Sequence, residues 1–292
     1  MTDGRGLVLG ALDPSAPNPF GPASAIRSVV GEPIVTALYP RTLVMDVAQT
    51  SIGAAVADHS RFQQEPVHRL WATSDAALRL VFGRGLEPMG AARQIYRFHD
   101  QINGTGGDGP YTAHDASLLL WVWATLVDSC DVAFTRWVRP YRPGEAESFY
   151  QDMGTFARFF GIPEALIPPD RPAFSRYLDG MLDHDRLGAS ATSARLAREI
   201  LWFRRWYVPP PAMAAMRILA IGTLDPRLAD RLGLGLTRVE QRSFDRLDRL
   251  LGGHYSRLPS GRTSLPYCYL TVRRAAHRVQ KVISGFGDGV IG

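Results

Sequence analysis

Leu118-Leu119-Leu120-Trp121-Val122-Trp123-Ala124-Thr125-Leu126-Val127 is apolar on every side of a helix. A helix with no polar face has to be surrounded, either by lipid or by other parts of the same fold. The run is about half of the roughly 20 apolar residues that a membrane span requires. No membrane span is therefore expected, and the segment reads as a central helix walled in on all sides. Such a helix needs a chain large enough to enclose it, and 292 residues suffice for one large domain. Apolar residues make up 46% and charged residues 21%, which excludes disordered and collagen-like classes.

The rest of the chain repeats the helical period. Val44, Val47, Ala48, Ile52, Ala55, Val56 and His59 share one face. Val67, Leu70, Trp71, Ser74, Leu78 and Val81 line a second helix that begins near Pro66 and ends at Gly83. A third runs from about Pro88 to Ile102, with Met89, Ala92, Ile95, Tyr96, His99 and Ile102 on one stripe. The glycine-rich Asn103 to Pro110 segment reads as a break and a flexible connection. The central helix then starts at His114-Asp115, with Asp115 suited to its N-terminal end.

Further helices are expected over Glu145–Phe160, Ala173–Asp183, Ser193–Phe203, Pro211–Gly222, Pro226–Leu232 and Thr237–Leu251, with Thr237 as an N-cap. A last one is expected over Ser264–Val282. No period-two strand and no internal repeat is evident. The expected class is all-α: a single large multi-helix bundle over residues 41–292, preceded by a Gly/Pro/Ala-rich arm over residues 1–40.

Charge says little about function. The net charge is +5 and the pI about 9.5, yet 32 of the 33 basic residues are arginine, the exception being Lys281. They are scattered among acids without the basic stripe that nucleic-acid binding requires, so no nucleic-acid partner is expected. Some could meet the carboxylates of a bound cofactor. Cys130 and Cys268 form no CxxC pair and no disulfide framework. Cys130 reads as a small buried hydrophobe. The N-terminus lacks the strong positive start of a secretory signal, and a cytoplasmic location is expected.

Among seven histidines, His99 stands out, on an apolar stripe just before a glycine-rich break. A neutral imidazole there could ligate a metal or haem iron. It could equally be a core histidine satisfied by a backbone carbonyl. Arg69 and Thr73, four residues apart, share a helix face and would suit an oxygen or substrate pocket. The plainer alternative is a surface arginine with Thr73 bonding back into its own helix. No His-Glu-x-x-His, no nucleophile elbow and no phosphate-binding loop is present. Glu65 and His68 have a Glu-x-x-His spacing without a second copy.

Three ordered stretches carry a resemblance. The first is Gly53-Ala54-Ala55-Val56-Ala57-Asp58-His59-Ser60-Arg61-Phe62, followed by Pro66 and Arg69-Leu70-Trp71-Ala72-Thr73. The second is Val81-Phe82-Gly83, then Arg97-Phe98-His99 and Gly104. The third is Tyr111-Thr112-Ala113-His114-Asp115, then Leu120 through Ser129. Phe159-Phe160-Gly161-Ile162-Pro163, Leu224-Asp225-Pro226-Arg227 and Gly233-Leu234 extend it. With these pieces the chain resembles the haem-dependent oxygenase family that includes the MpaB-type oxygenases and the catalytic domain of latex-clearing rubber oxygenases.

The resemblance implies an all-α fold enclosing one b-type haem between helices. It implies His99 as the axial iron ligand, Arg69 and Thr73 as catalytic residues on the opposite side, and Trp121 and Trp123 as cofactor-pocket wall. It also implies an oxidoreductase that uses dioxygen or peroxide on an apolar, alkene-containing small molecule. Two departures stand out. Rubber oxygenases carry a lysine where this chain has Ala72, which argues against rubber as substrate. Many relatives have His-Pro where this chain has Gln49-Thr50. A non-catalytic haem carrier or sensor, and a metal-free helical ligand-binding protein, remain alternatives.

Overall fold

The computed structural model describes residues 18–59, 75–84, 87–106, 109–185, 187–203 and 209–255. The expected helix over Ser264–Val282 and Cys268 lie outside them. The described chain is helical apart from one short hairpin. In order come α1 (Ala25–Val30), a 3₁₀ turn (Pro33–Leu38), α2 (Tyr39–Ala48), α3 (Thr50–His59), α4 (75–82), α5 (Glu87–His99) and the hairpin strands β1 (Asn103–Gly106) and β2 (Gly109–Thr112). Then follow α6 (Ala116–Ala133), α7 (Glu145–Phe159), α8 (Arg171–Asp183), α9 (Ala191–Leu201), α10 (Pro210–Gly222), α11 (Pro226–Arg231) and α12 (Arg238–His254).

Helix α6 is the axis of the fold. Asp115 caps it, accepting from the backbone N–H groups of Ser117 and Leu118. This satisfies two of the donors that every helix start leaves unpaired. A π-helical turn, Phe134–Val138, extends it to a continuous 23-residue stretch, Ala116–Val138. By length and composition that stretch could cross a membrane, but 61% of its most apolar window is buried by the protein itself.

Two hydrophobic cores lie on either side of α6. One gathers Trp123, Ala124 and Val127 with Ile26 of α1, Met89 of α5 and Phe149 and Met153 of α7. The other gathers Trp121 with Val44 and Met45 of α2, Leu196 and Ile200 of α9 and Ile221 of α10. Residues two apart on a helix point about 200° apart, so Trp121 and Trp123 serve opposite cores. Each indole N–H is satisfied by a carbonyl, Trp121 by Met45 at 2.9 Å and Trp123 by Met153 at 2.8 Å.

The structure differs from the sequence reading in three places. The apolar face from Val44 to His59 belongs to two helices rather than one. Gln49 leaves the helical conformation (φ −73°, ψ 123°). Its side-chain Oε1 accepts from the Ile52 N–H at 2.8 Å, and its carbonyl accepts from the Gly53 N–H at 2.8 Å. Gln49 thus caps α3 and turns it away from α2. Gly53 permits the tight fold-back, because a Cβ there would come within 2.9 Å of the Val47 carbonyl oxygen and 3.1 Å of Ser193 Oγ.

The glycine-rich break is an antiparallel hairpin, with Asn103 opposite Thr112 and Gly104 opposite Tyr111. Period-two alternation is invisible in Asn103-Gly104-Thr105-Gly106 because its glycines have no side chain to alternate. They are required by space. A Cβ on Gly104 would lie 2.5 Å from Tyr111 Oη, and one on Gly106 would lie 2.8 Å from the Ala54 Cβ on α3.

The described part of the Gly/Pro/Ala-rich N-terminal segment packs onto the body. Phe20, Ile26, Val29, Val35 and Leu38 are all buried in the first core. Among the described residues the first helix begins at Ala25, after Pro22.

The remaining helices begin and end as their local chemistry dictates. Thr237 and Glu240 form a reciprocal capping box at the start of α12. Helix α7 ends in a Schellman arrangement. The Ile162 N–H reaches the Ala157 carbonyl, the Gly161 N–H reaches Arg158, and Gly161 takes the left-handed φ of 86°. Gly233 ends α11 in the same way, at φ 62°. Cys130 is buried, and burial together with the nearby Asp131 and Asp128 pushes its thiol well above the ordinary range, as suits an inert core residue.

Candidate functional site

Described parts of the three stretches that carry the family resemblance lie at one corner of the molecule: Asp58 and His59, Arg97 to His99, and Tyr111 to Asp115. Helix α5 runs towards it from the first core, with Pro88, Met89, Ala91 and Ala92 buried in its first half. Further along, Ile95, Tyr96 and His99 are only half-buried, so the apolar stripe opens as it reaches the helix end. His99 is the last helical residue, and its carbonyl accepts from the Ile102 N–H at 3.0 Å as the chain turns into β1.

Strand β2 brings the third stretch back to the same place. The His114 ring lies between two residues of α5. Its centroid is 4.4 Å from that of Tyr96 and 6.0 Å from that of His99, the latter pair meeting edge to face at 75°. His114 Nε2 is 2.8 Å from Asp100 Oδ1. A carboxylate can only accept, so this nitrogen carries the proton.

The first stretch closes the corner from the other side of the hairpin. The Tyr111 hydroxyl donates to Asp58 Oδ2 at 2.7 Å, and His59 Nε2 lies 2.9 Å from the Asn103 carbonyl oxygen. Burial, reinforced by the Asp58 carboxylate, pushes the Tyr111 hydroxyl up to about 12. The end of α3 is thereby fixed to both strands. Residues 60–74 follow directly, and they include Arg69 and Thr73. Those two lie outside the described residues, as does the Glu65–His68 spacing.

Of the residues singled out in the sequence, the structure thus describes His99, Trp121 and Trp123. His99 sits at the corner. Trp121 and Trp123 are buried in separate cores, with their polar atoms engaged by backbone carbonyls. His114 and Asp100 were not singled out as site residues. A stretch containing the hairpin separates His114 from α5 in the sequence, and no local periodicity signals their pairing.

Another part of the resemblance has a structural role. Asp128 and Ser129 of the third stretch hold Arg41, which is buried between α2, α6 and the end of α10. Arg41 Nη2 is 2.7 Å from Asp128 Oδ2, Nη1 donates to Ser129 Oγ at 2.8 Å, and Nε donates to the Thr223 carbonyl at 3.0 Å. Asp225 caps α11, and Arg227 ties it to Asp179 and Asp183 of α8.

The donor chemistry at the corner bears on the cofactor. Among the described residues no group of three or more His, Cys, Asp or Glu side chains is arranged to hold a bare metal ion. The His99 imidazole at the open end of the α5 stripe is a different kind of donor. It fits a haem, which brings four nitrogens of its own and needs from the protein an axial ligand and apolar walls. His99 would be the residue to meet the first requirement, with the half-buried Ile95 and Tyr96 one turn before it on α5.

The family described as "ER-bound oxygenase mpaB/B'/Rubber oxygenase, catalytic domain" matches residues 27–253. Two mycobacterial proteins are similar over 152 residues at 27% identity: uncharacterized protein Mb2261 of Mycobacterium bovis and uncharacterized protein Rv2237 of Mycobacterium tuberculosis. The similar region covers 50% of this chain and 58% of each relative, so the chain spans little more than half the length of the curated relatives it matches. No solved structure matches. With the family match extending from α1 to α12, the chain belongs to the MpaB and rubber oxygenase catalytic-domain family.

Proposed function

We propose that this protein is a haem b-dependent oxygenase acting on an apolar small molecule that contains a carbon–carbon double bond. The observation that carries this reading is the placement of His99. The His99 imidazole ends the half-buried stripe of α5, beside Tyr111 to Asp115 of the third stretch of the family resemblance.

In this reading His99 holds the haem through its imidazole. Bound haem supplies the activation of dioxygen or peroxide, which no side chain can perform. Ile95 and Tyr96 provide apolar surface beside the ligand and help exclude water. The two buried cores make α6 a rigid support, and Asp115 fixes the point where it meets the hairpin. Arg69 and Thr73 would orient oxidant or substrate by hydrogen bonds. Ala72, in place of a lysine, leaves that region less charged and favours substrates other than rubber.

A visible spectrum with a pyridine haemochrome assay tests the reading, using protein expressed with iron and haem supplied. A Soret band with about one b-type haem per chain is expected, lost in His99→Ala. Oxygen or peroxide consumption that depends on an apolar alkene is expected of the loaded protein. No Soret band after haem addition would overturn the cofactor, and an unchanged spectrum in His99→Ala would overturn the ligand. Stable haem without turnover on any alkene would leave a carrier or sensor.

A further inference from the structure

We propose that Arg27 and Arg84 form a binding site for a phosphate group, apart from the His99 corner. Arg27 lies in the last turn of α1, and its guanidinium carbon stands 5.4 Å from the centroid of the Phe82 ring. Phe82 ends α4, and Arg84 follows two residues later. The ring that seats one arginine is therefore tied to the other.

Among the described residues neither cation has a counter-charge. Arg27 Nε is buried without a hydrogen-bond acceptor. Burial, and then the positive charge of Arg84, hold the Arg27 guanidinium below the ordinary arginine range. Glu87 Oε2 accepts from the Arg84 backbone N–H at 3.0 Å, and Asp152 Oδ2 accepts from the Ile26 N–H at 3.0 Å. Both carboxylates thus bind backbone rather than guanidinium. Ser24 Oγ, three residues before Arg27, is a further polar atom buried without a partner.

Desolvated charges and buried polar atoms in native proteins are ordinarily paired. Two like charges brought together without a carboxylate call for an anion. A single carboxylate would neutralise one of them. A phosphate group carries about two negative charges and three acceptor oxygens, which matches both cations, and arginine is suited to bidentate contact with it. The scaffold is fixed in advance. Asn18 Nδ2 donates to the Gly83 carbonyl at 2.9 Å, and Glu87 holds the Arg84 backbone. The site adjoins the start of α5, whereas His99 ends that helix, about 18 Å further along its axis.

Isothermal titration of the full chain with inorganic phosphate, at an ionic strength held constant with chloride, tests the site. Saturable single-site binding is expected. Arg27→Gln and Arg84→Gln are each expected to weaken it at least about tenfold, through loss of a charge-assisted bond. Arg246→Gln removes the same charge from an exposed position on α12 and is expected to leave the affinity unchanged. Arg84 is exposed, so its variant folds even where the loss of Arg27 disturbs α1.

Absence of saturable binding by the wild type would overturn the proposal, as would wild-type affinity in either variant of the pair. An equal loss in Arg246→Gln would reduce the effect to net charge and also overturn it. Vesicles then distinguish the source of the phosphate. Flotation with phosphatidate in phosphatidylcholine, but not with phosphatidylcholine alone, abolished by both substitutions, would support a lipid headgroup. Phosphate binding without flotation would support a soluble ligand at the same site.

Discussion

Arg41 Nη2 lies 2.7 Å from Asp128 Oδ2 in the interior, where the arginine is 4% exposed. Each guanidinium nitrogen has a partner, Nη1 donating to Ser129 and Nε to the Thr223 carbonyl. A neutral replacement leaves Asp128 without its counter-charge, and breaking such a pair costs about 3–5 kcal/mol. Arg41→Met is expected to lower the urea midpoint accordingly. Arg41→Met combined with Asp128→Leu should recover part of the loss, because both desolvation costs are then removed. Equal destabilisation of single and double variants would contradict this account.

Two helical glycines should respond in opposite ways to alanine. At Gly222 a Cβ would overlap the ring of Phe244, because α10 and α12 approach each other there through the missing side chain. Gly222→Ala is expected to destabilise by about 1–3 kcal/mol through overpacking. Gly180 lies in the exposed interior of α8 with nothing within 4 Å. Gly180→Ala should stabilise by about 0.5–1 kcal/mol through helix propensity alone. Thermal melts of both variants measure the contrast.

Acid should weaken the start of α7 through Glu145. Its carboxylate accepts from Arg139 Nη1 at 2.6 Å and Nη2 at 2.7 Å, and this pairing holds it at about 2 instead of the ordinary 4.5. A carboxyl whose value is depressed by folding contributes stability above 4.5 that is lost as pH falls towards 2. The melting temperature of wild type should fall more steeply over that window than that of Glu145→Gln. Parallel profiles would show that the pair contributes nothing.

Base should act at the hairpin through Tyr111, whose hydroxyl is pushed from 10 to about 12 by burial and by Asp58. A neutral group with a raised value contributes stability that is complete below pH 10 and is lost as pH rises through 12. Tyr111→Phe should cost about 1 kcal/mol at neutral pH and flatten the alkaline decline. Hydrogen exchange of the β1 and β2 amides locates the effect, and an unchanged alkaline profile in Tyr111→Phe would contradict it.

Much of the helical fold was legible because its signals are local. The all-round apolar run of α6 and the caps at Asp115 and Thr237 each lie within a few residues. The break at Gln49 was hidden because the apolar period continues across it while the cap is made by a glutamine side chain, which local rules do not favour in that role. The hairpin was hidden because its glycines show no alternation, and their reason for being glycine is Tyr111 on one strand and Ala54 on a helix. At the candidate site, the stripe placed His99 on the half-buried face of α5. Its companions His114 and Asp100 were not legible.

By itself, then, the sequence determined the helical class, most helix starts and ends and the central helix. All of these follow from contacts between residues three or four apart. The tertiary structure alone decided which side of α6 each tryptophan serves, that Arg41 is an interior cation rather than a surface one, and that His99 faces His114. Those outcomes depend on pairings between distant segments, whose closeness is set by packing rather than by spacing along the chain.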